Sequence, residues 1–138
     1  MSSSKVLKLM KDKDIEYVDL RFTDPRGKLQ HLTMDATIVD EGMLNDGVFF
    51  DGSSIAGWKA INESDMILKP DLNRQIVDPY TSHNTLILFC DIFDAVKKDS
   101  YERDPRGIAK KAEAYLKKLE LEIKLILDLS QSFLFLTM

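Results

Sequence analysis

The chain opens with apolar residues at helical spacing. Val6, Leu7 and Met10 fall on one face of a helix, and the hydroxyl groups of Ser2–Ser4 precede them. Serine is favoured at a helix start because its side-chain oxygen accepts a hydrogen bond from a backbone N–H that has no partner within the helix. The pattern therefore predicts a first helix near Ser4–Lys13.

A hydrophobic period of two replaces the helical spacing from Glu16 onward. Val18, Leu20 and Phe22 alternate with polar residues, which is typical of a half-buried strand. The turn sequence DPRG at 24–27 follows, in which proline presets φ and glycine can take a positive φ. Alternation then resumes, so a β-hairpin is predicted over Glu16–Met34.

The remaining patterns predict more short elements of both kinds. They are a short helix Asp40–Asn45, a strand Val48–Phe50, strands Asp65–Pro70 and Thr85–Phe93 joined by a loop with two prolines, and a helix that begins at Asp104-Pro105. Four or five strands with a flanking helix indicate a small α+β domain, although propensity does not say which strands pair. The charged stretch Lys97–Arg103 is the predicted domain boundary.

Composition narrows the classes of protein and partner. The chain has 138 residues, 23 acidic and 19 basic, with a net charge of −4 and no block of one sign. This balance argues against nucleic acid or an anionic membrane as the main partner. Cys90 is the single cysteine and lies in an apolar run, so we expect it to be buried. Without a signal peptide or an apolar stretch that could span a membrane, the expected location is the cytoplasm.

The stretch Asp51–Pro70 reads DGSSIAGWKAINESDMILKP and is the most distinctive part of the chain. One interpretation is a surface turn whose Asp and Ser side chains bond their own backbone. The other is a functional loop, because a strand that ends at Asp51 beside glycine can aim a carboxylate at a ligand. The residues by themselves leave both interpretations open.

Residues beyond this stretch support a family resemblance. The segment FDGSSIAGWKAINESDM closely resembles the conserved motif in the N-terminal domain of bacterial glutamine synthetase (type I). YVDLRFTDPRGKLQH, IVDPY, CDIFD and YERDPRGIAKKAEAYLKK resemble the same family, so the likeness covers about Val6–Lys118. It implies a small β-grasp (ubiquitin-like) sheet of four to five strands with a flanking helix. A helix from an incomplete catalytic domain follows.

The resemblance also implies a site and partners. In the family, N-terminal domains pack against neighbouring subunits of a ring-shaped homo-oligomer, and each active site lies between two subunits. Asp51 would bind ammonium in the neighbour's site and accept its proton, with Ser54 as its close companion. Trp58 would lie near the nucleotide. ATP and Mg²⁺ or Mn²⁺ serve the full-length family, whereas no cofactor or metal site is expected in this chain.

The resemblance ends after Lys118. The family continues in a form such as TGIGDKAYFGPEPEFFIFDD, in which the glutamates of GPEPEFF begin the metal-binding set, whereas this chain reads LELEIKLILDLSQSFLFLTM. With suitable synonymous codons, a gene segment for the family sequence read one base later encodes every residue of this tail. We therefore expect a frameshift after Lys118. The predicted domains are a β-grasp domain at 1–100, the start of a catalytic domain at 101–118 and a non-native tail at 119–138.

Two hypotheses about function follow. The first is a truncated synthetase, inactive alone, that is monomeric or aggregates because its alternating apolar tail has no partner. The second is a β-grasp interaction module that binds or modulates intact synthetase subunits, which co-purification would reveal. His31 and His83 have no neighbouring His or Cys in the sequence, so metal ligation by either is not expected.

Overall fold

A computed structural model describes residues 2–55, 57 and 64–118, together with the backbone of 124–127 and 134–137. The chain divides into two compact units, residues 1–107 and 108–138. This division falls within a helix, seven residues after the boundary at 100 that the sequence suggested. The assignment of 1–100 as the β-grasp domain stays a prediction.

The first unit alternates short helices with strands. Its elements are α1 (Ser3–Asp12), β1 (Tyr17–Thr23), β2 (Leu29–Asp35), a 3₁₀ turn (Ala36–Ile38), α2 (Glu41–Asp46), β3 (Val48–Asp51), a second 3₁₀ turn (Gly52–Ser54), β4 (Asp65–Val77), β5 (Thr85–Asp94) and the start of α3 (Pro105–Lys118). The predicted first helix, hairpin, short helix and third strand are confirmed within a residue or two at each end.

The strands form one five-stranded mixed sheet in the order β2-β1-β5-β4-β3. β1 runs parallel to β5, and the other neighbouring pairs are antiparallel. Alternate residues of the strands enter a core that α1 and α2 complete. The fully or nearly buried core side chains are Val6, Met10, Ile15, Val18, Leu20, Phe22, Val39, Leu44, Met66, Leu68, Leu86, Leu88, Cys90 and Ile92. The α+β fold and the burial of Cys90 are confirmed.

β4 is longer than the sequence suggested. The predicted strand ended at Pro70, and the loop prediction for the residues after it is wrong, because β4 continues to Val77. Proline donates no hydrogen bond to a sheet and is therefore found at bulges and edges. The pairing of β4 with β5 shifts register between Pro70 and Gln75, and β3 pairs with β4 only as far as Leu68. The irregularity accommodates the proline without ending the strand.

The predicted turn between β1 and β2 is confirmed and rests on one carboxylate. Asp24 is 4% exposed, and its Oδ1 accepts hydrogen bonds from the backbone amides of Arg26 and Lys28, both at 2.9 Å. Its Oδ2 accepts from the Gln30 side chain at 2.9 Å. Gly27 takes a φ of +82°, which only glycine adopts readily. The turn therefore fixes the register of the hairpin.

The predicted start of α3 is also confirmed. Asp104 is 1% exposed, and its side chain accepts hydrogen bonds from the amides of Arg106 and Gly107 at the helix start, both at 3.1 Å. The same carboxylate accepts from the Ile92 amide of β5 at 3.2 Å. Arg106 in turn bonds Asp71 of β4 at 2.7 Å and Asp91 of β5 at 3.0 Å. The first turn of α3 is thus fastened to the sheet.

The second unit contains the rest of α3 and two short strands. β6 (Lys124–Leu127) and β7 (Leu134–Thr137) pair antiparallel with each other. The sequence predicted strand character for this tail but not a hairpin within it. None of the described helices is long and apolar enough to cross a membrane.

Candidate functional site

Asp51 is the last residue of β3, which is an edge strand of the sheet. β3 pairs with the first residues of β4, so that Asp51 lies opposite Asp65. The chain leaves the sheet after Asp51 and returns just before Asp65, and the side chain of Asp51 is exposed. The sheet therefore presents a carboxylate at the root of a long loop, as the functional interpretation requires.

The Asp51 carboxylate is held by the turn that follows it. Its Oδ1 accepts a hydrogen bond from the Ser53 amide at 2.9 Å, and the Ser54 hydroxyl donates to the Asp51 carbonyl oxygen at 2.8 Å. The Ser53 side chain is the main cause that lowers the pKa of Asp51. The Ser53 amide and the Ser64 side chain also lower it, against a partial desolvation that raises it. Asp51 is therefore an anion at neutral pH.

Gly52 has no room for a side chain. It is buried, and a Cβ atom there would overlap Met66 Sδ and lie 2.9 Å from Met66 Cγ and 3.1 Å from the Ser64 carbonyl oxygen. That carbonyl oxygen also accepts a hydrogen bond from the Gly52 amide at 2.8 Å. The φ of Gly52 is not positive, so space rather than backbone conformation requires glycine.

A second contact holds the loop farther along. Gly57 has a φ of +89°, and its carbonyl oxygen accepts a hydrogen bond from Arg103 Nη1 at 2.8 Å. Arg103 directly precedes Asp104, which caps α3. Trp58, the predicted nucleotide-side residue, lies outside the described residues. The structure thus brings together Asp51 and Ser54, while the role predicted for Trp58 stays a prediction.

An apolar surface beside Asp51 was not predicted. Phe49, Ile67 and Phe93 are cross-strand neighbours on β3, β4 and β5. They line a hollow of about 330 Å³, and Phe49 is 70% exposed. Lys69 Nζ lies 5.5 Å from the centre of the Phe93 ring. Phe49 and Asp51 are two residues apart on the same strand, so their side chains lie on the same face of the sheet.

A polar network on β1 and β2 was also missed. Asp19 is one of the polar residues that alternate with Val18, Leu20 and Phe22 on β1, yet it is only 4% exposed. It accepts hydrogen bonds from Arg21 at 2.7 Å and Thr33 at 2.8 Å, and it lies 2.9 Å from His31 Nδ1. These bonds lower the pKa of Asp19 despite its burial. No group of three His, Cys, Asp or Glu residues that could hold a metal ion occurs among the described residues.

Comparison with known proteins identifies the domain. Residues 14–95, more than half of the chain, match the sequence model of the glutamine synthetase β-grasp domain. A glutamine synthetase of Rhizobium meliloti is 61% identical over 116 residues, which are 84% of this chain and 25% of that protein. A glutamine synthetase of Bradyrhizobium diazoefficiens is 54% identical over 118 residues, or 86% of this chain and 25% of that protein.

A cryo-EM structure of Plasmodium falciparum glutamine synthetase has the same fold. It superposes with a TM-score of 0.78 at 22% identity and covers 99% of this chain and 29% of that one. The chain spans about a quarter of the length of the curated relatives it matches. The sequence match over residues 14–95 and the five-stranded sheet agree, and this chain belongs to the glutamine synthetase β-grasp domain family.

Proposed function

We propose that this chain is the N-terminal part of a glutamine synthetase whose Asp51 completes the ammonium site of a neighbouring subunit. The observation that carries the proposal is the exposed, anionic Asp51 at the root of the loop that contains the family motif. Relatives over 50% identical support the ligase family, in which glutamate and ammonia are condensed. The proposed location is the cytoplasm.

The chemistry suits a carboxylate in this position. Ammonium is a cation with four N–H donors, and a carboxylate both compensates its charge and accepts its hydrogen bonds. In the isolated domain, hydrogen bonds from Ser53 keep the pKa of Asp51 low, so Asp51 is a better cation ligand than proton acceptor. Enclosure in the assembled site would desolvate the carboxylate and raise its pKa toward the range of an effective general base.

The rest of the reaction requires parts that lie beyond this chain's resemblance. Relatives are about four times as long. We place the glutamate, ATP and metal sites of the reaction in their remaining length. Those groups supply phosphoryl transfer, and no step of it is assigned to the described residues. We therefore propose a ring-shaped homo-oligomer for the full-length protein and no glutamine formation by this 138-residue chain alone.

The test uses a full-length chimaera in which residues 1–118 of this chain replace the matching part of the Rhizobium meliloti relative. Asp51→Asn keeps the size of the side chain but removes its charge and basicity. We expect the rate at low ammonium to fall by about 10²-fold or more. KM for ATP and glutamate should change much less. Steady-state kinetics at varied ammonium concentration measure both effects.

Asp35→Asn is the matched control, because Asp35 is also exposed at a strand end and caps the same kind of turn. It should leave the ammonium kinetics unchanged. Ammonium kinetics that survive Asp51→Asn would contradict the proposal. The 138-residue chain, assayed alone with glutamate, ammonium, ATP and Mg²⁺, should form no glutamine, and turnover that follows it through purification would contradict its predicted inactivity.

A further inference from the structure

The Asp51 turn rests directly on the hydrophobic core. Met66 is 0% exposed and belongs to the core, and β3–β4 pairing places it opposite Phe50, the residue before Asp51. The Met66 thioether fills the space where any side chain at position 52 would lie. Gly52 is therefore one point, together with Ile55, at which the candidate loop touches the packed interior.

The two ends of the loop are also joined at this point. The Gly52 amide donates to the Ser64 carbonyl oxygen at 2.8 Å, and the Asp51–Asp65 pair continues the ladder of β3 and β4. Protein interiors are close-packed, so a change of shape beneath Gly52 is transmitted and not absorbed. The turn above it carries the Ser53 amide, which holds the Asp51 carboxylate at 2.9 Å.

We propose that Met66 is a positioning residue for Asp51. Its thioether packs against Gly52 and so fixes the position of the turn relative to the core. The position of the turn then determines the direction of the Asp51 carboxylate. The inference rests on the proposed function only for the role of Asp51 in ammonium binding, since the contact itself exists in the isolated domain. Met66 acts through the Gly52 backbone and makes no contact with substrate.

The experiment is a pH titration of the Asp51 carboxyl group by NMR in the full 138-residue chain, together with hydrogen exchange of the Ser53 amide. Gly52→Ala forces either the turn or Met66 to move. We expect the Asp51 pKa to rise toward the ordinary aspartate value and Ser53 exchange to quicken by roughly 2- to 10-fold, as for the loss of one hydrogen bond. Met66→Leu changes the shape beneath Gly52 at nearly constant volume and should act in the same direction.

Leu68→Met is the matched control. Leu68 is equally buried and lies two residues farther along the same face of β4, but the atoms nearest to a Cβ at Gly52 belong to Met66 and Ser64 and not to Leu68. It should leave both measurements at the wild-type values. The proposal is overturned if folded Met66→Leu protein titrates like the wild type, or if Leu68→Met shifts Asp51 as much. The proposed function is decided separately by the ammonium kinetics of Asp51→Asn.

Discussion

At the end of β2 and at the end of β3, an exposed aspartate accepts a hydrogen bond from the amide two residues later and begins a 3₁₀ turn. The bond to Asp35 comes from the Thr37 amide at 2.8 Å, and the bond to Asp51 comes from the Ser53 amide at 2.9 Å. Both carboxylates have a lowered pKa, chiefly because the side chain of the same Thr37 or Ser53 also bonds them. By local geometry alone, the two turns are equivalent.

They differ in what lies beneath and beyond them. The residue after Asp35 is Ala36, whose methyl group packs against the core, whereas the residue after Asp51 is a glycine pressed on Met66. The Asp35 turn is followed almost at once by α2, while the Gly52 amide at the Asp51 turn bonds the carbonyl oxygen of Ser64, twelve residues later in the chain. An aspartate that caps a turn therefore does not by itself indicate a functional site. The distinctive feature of the Asp51 turn is its contact with Met66 in the core, together with the hydrogen bond from Gly52 to Ser64.

The largest expected effect concerns a buried aspartate that caps a turn. It tests whether burial, and not the geometry of the cap, determines how much such an aspartate contributes to the free energy of unfolding. Asp104 makes the same kind of bond to amides of a following turn but is 1% exposed. Asp104→Ala would leave three amides without their acceptor, including that of Ile92. We expect a loss of about 2–4 kcal/mol in the free energy of unfolding, measured by urea denaturation.

Asp104→Asn is the comparison, because its single amide oxygen can replace only one carboxylate oxygen, either Oδ1 toward Arg106 or Oδ2 toward Ile92 and Gly107, and so keeps part of the cap. Burial raises the pKa of Asp104, so protonation of this carboxyl group is more favourable in the folded protein than in the unfolded chain. The stability that this group contributes is complete below its ordinary value of 3.8 and is lost as pH rises through the raised pKa. Asp104→Asn should therefore gain on the wild type as pH rises through that window. An equal loss for the Ala and Asn variants would contradict the capping role.

The next largest effect is expected when the residue after each aspartate is exchanged for its counterpart, glycine for alanine at position 52 and alanine for glycine at position 36. Gly52→Ala places a methyl group against Met66 and should cost about 1–3 kcal/mol, as overpacking usually does. Ala36→Gly removes a packed methyl group and frees the unfolded backbone, with an expected cost of about 0.5–1 kcal/mol. Urea midpoints of the two variants measure the difference. A larger loss for Ala36→Gly than for Gly52→Ala would reverse the comparison.

Most of the elements could be predicted from the sequence because their signals are local. Period-two alternation in β1, the Asp24 turn and the Asp104 cap each lie within a few residues. The continuation of β4 past Pro70 could not be predicted, since a register shift against β5 accommodates the proline. The order of the strands depends on contacts distant in sequence, and the parallel pairing of β1 with β5 left no local signal.

The candidate site was only partly predictable for the same reason. The strand that ends at Asp51 follows from its pattern, but the roles of Asp51 and Ser54 came from the family resemblance. The contact between Gly52 and Met66 exists only because β3 pairs with β4 in one register. The burial of Asp19 likewise depends on donors from two strands, Arg21 on β1 and Thr33 on β2. Such features require the fold before they can be found.

The smallest expected effect compares the two exposed turns in acid. Asp35 and Asp51 both have a folded-state pKa below the ordinary 3.8, so each contributes stability above that value and loses it as pH falls through the lowered pKa. Asp35→Asn and Asp51→Asn should each flatten the fall in stability below about pH 4 by a similar, small amount, since both groups are exposed and screened. Urea denaturation at a series of pH values between about 2.5 and 6 measures the slopes. The contradicting outcome is that Asp51→Asn reduces the acid dependence of the unfolding free energy much more than Asp35→Asn does. That result would mean that the Asp51 carboxylate mainly stabilises the fold of this chain. Asp51 would then have a structural role like that of Asp24, which holds the turn between β1 and β2, and not the role of a carboxylate that binds a cation.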